Sequence, residues 1–352
     1  MNRRCTPMNA ARTRTNPRSA SHPCPSVFIR GSFPLVFLCA LCVLRGESSA
    51  QEPKPIPPLQ ILPLPHDQAA FVRDDTERAR YHFAPTLRRP FVYPLVGPAG
   101  RGLTRMGHPR DPQSHSHHNS VWVAHNSVNG LSFWDDRAKG RIVHQRIDQY
   151  EDLGHTSWVT ATNHWVDESA NNKTLLIEKR RTTLQLLPNN ESLLILDLQL
   201  EAPQQGGQGG RVTLGKTPFG LVGVRMAKTI GVHDGGGEIR NSANQSGEKD
   251  VFWQPAKWCD YSGPIRPGVT EGITLMDHPA NPNHPTVFHV RGDGWMGTSL
   301  THAADRTIDP AQPLRLRYAL YVHAGKPPIA TLEARWSDFS KSALPDLNPP
   351  KK

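Results

Sequence analysis

An apolar pattern of period two, returning again and again along the chain, constrains the fold more than any other feature. In LRLRYALYVH, Leu314, Leu316, Tyr318, Leu320 and Val322 share one face while Arg315, Arg317 and His323 share the other, the alternation of a half-buried strand. KTLLIEKRRTTLQLL from Lys173 and ESLLILDLQLEA from Glu191 are similar runs. The turn signal Pro188-Asn189-Asn190 between them predicts an antiparallel hairpin. One helix is predicted, after Pro327-Pro328, where Ile329, Leu332, Trp336 and Phe339 recur at three and four residues. Regular strands with few helices predict an all-β fold, a large antiparallel β-sandwich.

The first fifty residues do not share this pattern. Arginines at 3, 4, 12, 14, 18 and 30 precede the apolar run FPLVFLCALCVL, Phe33 to Leu44, and Ser48-Ser49-Ala50 stands before Gln51. A basic segment, a short apolar core and a small-residue cleavage site follow the order of a secretory signal. Residues 1–50 are therefore expected to be a signal peptide cleaved near Ala50, with the mature chain secreted, periplasmic or extracellular. The apolar run is shorter than the roughly 20 residues that span a bilayer, and no longer one follows, so no stable membrane span is expected in the mature chain. Residues 51–68, opening QEPKPIPPLQILPLP, are expected to be a Pro-rich tether, 69–342 a single sandwich domain, and 343–352 a disordered tail.

Seven arginines and one glutamate leave with residues 1–50, lowering the formal charge from +10 to +4. No basic stripe with interleaved aromatics remains, so nucleic-acid binding is not expected. Four of the five cysteines leave too. The lone Cys259 cannot form an internal disulfide and is expected to be a small buried residue, so the core must hold the fold unaided.

Chemistry concentrates in a few stretches. DPQSHSHHNSVWVAHNSVNGLSFWDD, Asp111 to Asp136, holds four histidines, two tryptophans and three acids. Within it Ser120–His125 is the expected strand, with His118, Trp122 and Ala124 on one side and Val121, Val123 and His125 on the other. His115 and His117 lie upstream in a loop; with His118 they could supply metal ligands only if that loop folds back on itself. The spacing matches no helical metal motif. Trp134 beside acids offers the apolar face and polar edge that a pyranose ring requires.

A second cluster runs from KWCDYSGP, with Asp260 and Tyr261, to EGITLMDHPANPNHPTVFHVRGDGW, where Asp277, His278, His284 and His289 are expected in a loop pinned by Pro279, Pro282 and Pro285, beside the strand Thr286–Val290. Prolines lower the entropy cost of holding such a loop rigid. Lys216, Arg225 and the run LGKTPFGL from Leu214 form a third candidate wall, with Arg225 as a clamp for carboxylate or hydroxyl.

RPFVYPLVGPAGRGLTR from Arg89, the HSHHNSVWVAH…VNGLSFWDD stretch, KWCDYSGP and EGITLMDHPANPNHPTVFHVR occur in that order. Together they resemble a bacterial family of unknown function, DUF6807, labelled PmoA-like or "methane oxygenase PmoA", over roughly residues 70–325. The resemblance implies an exported protein with a β-sandwich similar to the galactose-mutarotase supersandwich. It carries over no catalytic pair.

Three functions stay open. The first is acid–base chemistry on a carbohydrate, with His118 and His278 as the imidazoles, Asp277 or Asp260 as the carboxylate, Trp134 and Tyr261 as ring platforms, and Asn119, Arg225 and His125 contacting substrate. The second is a non-catalytic sugar-binding module using the same groups. The third is a metal enzyme with His115, His117, His118 and His284 as ligands, the copper chemistry of the family label included. No organic cofactor is expected.

Overall fold

A computed structural model describes residues 55–107, 115–205 and 208–348. The expected signal peptide, residues 1–50, lies outside them. So does the stretch 108–114.

The first sheet opens with β1 (Leu59–Leu64), β2 (Gln68–Arg73), β3 (Thr76–His82), β4 (Phe91–Leu95) and β5 (Val121–Val123), each paired antiparallel with the next. The chain then builds one flank of the second sheet from four long strands, β6 (Gly140–Leu153), β7 (Thr156–Asp167), β8 (Lys173–Leu186) and β9 (Ser192–Glu201). The β8–β9 hairpin turns at Pro188–Asn190, where Asn189 and Asn190 take left-handed backbone angles that asparagine tolerates. A small hairpin, β10 (Gln204–Gln205) with β11 (Gln208–Gly209), and the short β12 (Val212–Leu214) follow.

Next, β13 (Val222–Arg225) returns to the first sheet beside β5. After the short helix α1 (Val232–Gly235), β14 (Glu238–Asn241) begins the other flank of the second sheet. Helix α2 (Glu248–Val251), β15 (Trp258–Arg266) and β16 (Val269–Asp277) come next. β17 (Phe288–Arg291) and β18 (Trp295–Thr298) complete the first sheet; β19 (Arg306–Ile308) pairs with β12. β20 (Leu314–Ala324) enters the second sheet between β16 and β9 before helix α3 (Ile329–Ser340) ends the fold. Each sheet has eight strands, in the orders β1-β2-β3-β4-β5-β13-β18-β17 and β14-β15-β16-β20-β9-β8-β7-β6. The all-β antiparallel sandwich expected from the alternation is present. One apolar core draws residues from both sheets, among them Val121, Val222, Val224 and Met296 of the first and Leu194, Leu275, Leu320 and Val322 of the second.

Three local expectations need correction. Leu59–Leu64 does not belong to a tether: Leu59 and Ile61 enter the core, and Pro63 is accommodated because β1 is an edge strand, where a sheet tolerates proline. β20 is not half-buried. Its second face, with Ala319 and Tyr321, lies under α3, whose Leu332 and Phe339 pack there with Leu193, Ile195, Trp258 and Met276. Each such apolar side chain taken from water contributes about 1.5–3 kcal/mol. Lastly, residues 343–348 lie along the second sheet rather than trailing away. Arg317 donates to Ala343 O, Arg315 to Pro345 O and Lys179 to Asn348 Oδ1, while Leu347 is buried. Cys259 is buried and free, as expected. Among the described residues no helix is long and apolar enough to cross a membrane.

Candidate functional site

Side-chain parity across the first sheet creates a pocket. On β5, β13, β18 and β17, Val121, Val123, Val222, Val224, Met296, Phe288 and Val290 share the face that joins the core. The alternate positions, Trp122, Gly223, Arg225, Trp295, Gly297, His289 and Arg291, share the other. Gly223 stands opposite Trp122 on one side and Gly297 on the other. A Cβ on Gly223 would come within 2.7 Å of Trp122 and 2.8 Å of Trp295, and one on Gly297 within 2.6 Å of Trp295. Only glycine lets both indoles lie along the sheet here.

His118 stacks on both indoles, its ring centroid 5.1 Å from Trp122 and 4.9 Å from Trp295. His115 stacks on His118 at 4.7 Å, and His117 meets His118 edge-on at 4.4 Å. Trp134 stands perpendicular to Trp295, with centroids 5.5 Å apart. The three histidines, Trp134 and Trp295, with Phe219, His289, Arg291 and Asp293, line a pocket of about 330 Å³, and Trp122 lies behind His118. Ligand pockets run from about 300 to 1,000 Å³, so this one is sized for a single ring.

Arg89 braces two of the segments that carry pocket residues. Its buried guanidinium donates to Asn119 Oδ1 at 2.6 Å and Trp134 O at 2.8 Å, and it pairs with Asp136 at 2.9 Å. It thereby ties the 117–119 segment to the 133–136 segment. Beneath the pocket the fully buried Arg225 pairs with Asp293 at 3.1 Å, and at the rim Arg291 pairs with Glu248 at 2.8 Å.

The electrostatics favour neutral imidazoles. Burial, reinforced by His117, Arg225, His115 and Arg105, holds the pKa of His118 well below the ordinary histidine value. Burial, with Arg291 next, brings His289 down to about 4 against the opposing pull of Asp293. Nδ1 of His118 and Nε1 of Trp122 are buried and find no hydrogen-bond partner among the described residues. Such an atom costs about 1–3 kcal/mol until something satisfies it.

Of the residues singled out in the sequence, His115, His117, His118, Trp134 and His289 come together in this pocket, with Phe219 of the LGKTPFGL run. The others do not face it. Asn119 spends its oxygen on Arg89. His125 points to the core side, where Nε2 lies 2.8 Å from Thr301 Oγ1 and Nδ1 2.9 Å from Ser127 O. Arg225 is a foundation, closed off by Asp293. Tyr261 is a core residue, not a ring platform; its hydroxyl donates to Arg291 O and accepts from Val232 N.

The expected pairing of His118 with His278, Asp277 or Asp260 is not formed, because those three belong to the second sheet and the loop leaving it. His278 Nε2 lies 3.0 Å from Ser342 O and its ring meets Phe339 edge-on. Asp277 accepts from Asn281 Nδ2 and Thr286 N. His284 Nδ1 is 2.7 Å from Asp277 Oδ2, and its ring stacks on Trp336 of α3, so it cannot join His115, His117 and His118 as a ligand. Those three present stacked faces and edges to one another rather than converging lone pairs. Among the described residues no group of three or more His, Cys, Asp or Glu side chains could hold a metal ion.

Asp260 anchors a separate buried network. Arg240 Nη2 (2.6 Å), Ser262 Oγ (2.8 Å) and Thr274 Oγ1 (2.9 Å) donate to it, and His323 Nε2 lies at 2.9 Å. Burial alone would raise its pKa, but the bond and charge of His323, then Arg240, hold it at about 2.

Sequence reasoning missed Arg89, Arg291, Asp293 and Trp295. The trace that could have found the last three is FHVRGDGW, read as a strand pair with His289, Arg291 and Trp295 on one face.

Fold and pocket define an all-β sandwich protein with a one-ring pocket walled by indoles and imidazoles. The chain belongs to a family of unknown function, DUF6807, which matches residues 68–337. No curated protein matches it. Similar solved structures include YeaD from Salmonella typhimurium, at 9% identity and a TM-score of 0.35, covering 76% of this chain and 94% of that one. The GalM/aldose epimerase homologue from C. elegans aligns at 8% identity and a TM-score of 0.34, covering 76% and 99%. Heparan sulfate lyase HepC from Pedobacter heparinus aligns at 10% identity and 0.35, covering 75% of this chain and 36% of that one. Likeness at these scores carries nothing about substrate.

Proposed function

We propose that this chain is an exported protein that binds a carbohydrate ring in the pocket of His115, His117, His118, Trp134, Phe219, His289 and Trp295, with His118 and His289 as neutral proton acceptors. The observation that carries the proposal is an aromatic-walled, ring-sized cavity that holds two imidazoles, one of which, His118, has a buried Nδ1 with no hydrogen-bond partner among the described residues. Aromatic walls suit the C–H faces of a pyranose, and its hydroxyls supply the missing partner. Imidazoles held neutral at pH 7 can take a proton from a hydroxyl or from carbon, which is what acid–base chemistry on a sugar requires. His118 thus keeps the role read from the sequence, and His289 replaces His278 beside it.

The test is a glycan screen of the purified chain, scored for binding and for turnover. Binding of at least one carbohydrate, lost in Trp295→Ala, is the expected result. No binding and no turnover on any glycan overturns the proposal. Turnover lost in His118→Phe with binding retained assigns catalysis; binding without turnover assigns a binding module.

A further inference from the structure

The aromatic lining does not stop at the pocket wall. From Phe219 it passes to His289 at 5.1 Å, from His289 to Phe252 at 5.0 Å, and from Phe252 to Trp253, stacked at 4.5 Å. Trp253 is 45% exposed, one of few large apolar side chains left in solvent. His302 meets its ring edge-on at 5.6 Å, and Arg291 lies over Phe252 at 5.2 Å. The pocket itself has room for one ring; Trp253 stands immediately outside it.

Trp253 is also held where a bulky residue is rarely found. Its φ is +59°, in the left-handed region that disfavours any residue with a side chain of this kind. The segment pairs with the open edge of β17, Trp253 N donating to Phe288 O and Phe288 N to Gln254 O. The edge pairing fixes the indole beside His289. Backbone strain and an exposed indole are both unfavourable in the free chain, and a ligand that stacks on the ring offsets them.

We propose that Trp253, with Phe252 behind it and His302 at its edge, is a second sugar subsite, so that the ligand is an oligosaccharide of at least two residues running from the pocket across His289 onto Trp253. This rests on the carbohydrate reading of the pocket. A lone indole bordered by imidazoles and an arginine fits a sugar ring better than a protein partner, which would need a broad apolar patch.

The experiment is calorimetric titration of the full chain with glucose, galactose, xylose and galacturonate, and with their 1,4-linked tetramers. At least one tetramer is expected to bind about tenfold or more tightly than its monosaccharide, with Trp253→Ala erasing that gap and leaving the monosaccharide affinity unchanged. Trp253→Gly relieves the left-handed backbone while removing the ring, so a loss shared by both variants reports the indole and not the fold. Trp253→Phe retains part of the gain. Equal affinity for monosaccharide and tetramer, or tetramer affinity untouched by Trp253→Ala, overturns the subsite and leaves the pocket standing. Binding of none of the eight sugars overturns both. A change of oligomeric state in Trp253→Ala with unchanged sugar affinity assigns the indole to a protein contact and overturns the subsite.

Discussion

Gly223 faces Trp122 across the β5–β13 pair, and the indole lies where any larger residue would put its Cβ, 2.7 Å away. Neither Trp122 nor Trp295 can retreat cheaply, since both are buried and both carry the weight of His118. Gly223→Ala is expected to cost about 1–3 kcal/mol of stability by overpacking, and to weaken ligand binding by tilting the histidine column. Gly210→Ala, which meets open space, is the control and should be neutral. Thermal unfolding of the two variants checks this; equal melting temperatures would show that the indoles have freedom the packing denies them.

The Asp260 network adds a buried polar tie between β14, β15, β16 and β20 to the apolar contacts of the second sheet. Removing the carboxylate in Asp260→Ala leaves Arg240 buried without its counter-charge and His323 without its hydrogen-bond partner. The expected loss is about 3–5 kcal/mol in urea denaturation at pH 7. Because the folded pKa, about 2, lies below the ordinary carboxylate value, this contribution is fully present above about pH 4 and is lost as pH falls toward 2. A loss at pH 7 under about 1 kcal/mol would mean that the network is optional.

What was legible in the sequence was local. The alternation of Leu314–His323 and the turn at Pro188–Asn190 are short-range patterns, and both mark real elements. Parity alone placed His118 and Trp122 on one face of β5. That the two halves of the pocket meet was not legible, because His289, Arg291 and Trp295 reach His118 only through the β5–β13–β18–β17 pairings, which join distant parts of the chain. The glycines at 223 and 297 are the mark those pairings leave on the sequence, since glycine inside a strand signals something lying close against the backbone. Asp277, His278 and Asp260 carry the same chemistry as pocket residues. No local pattern reveals that α3 and the second sheet enclose them. The prolines of 51–65 hid β1 in the opposite way, by outweighing the inward pair Leu59 and Ile61.

Two imidazoles give the fold an acid weakness. Burial lowers His125 to about 4, against the opposing bond to Ser127, and lowers His289 to about 4 as well. The unfolded chain protonates these rings near pH 6.5, while the folded chain resists. Stability is therefore complete above about pH 6.5 and falls as pH drops toward 4, by on the order of 1–3 kcal/mol per histidine. Denaturation midpoints measured from pH 7.5 to 4.5 should trace this decline, and His289→Gln should flatten it. A midpoint that stays level over that range would show that both rings titrate normally in the folded state.

His118 and His278 separate the pocket from its sequence-based rival. His278 holds the end of α3 through Ser342 O, and its Nδ1 accepts from Ala280 N at 3.1 Å. His278→Ala should cost about 1–2 kcal/mol of stability and leave glycan binding unchanged. His118→Phe should spare stability: a planar ring of similar breadth keeps the stack on Trp122 and Trp295, so the fold persists, while the unpartnered nitrogen is gone and with it proton transfer in the pocket. Parallel melting curves and glycan titrations of both variants decide the matter. Loss of binding in His278→Ala, with His118→Phe unaffected, would move the site to the second sheet beneath α3.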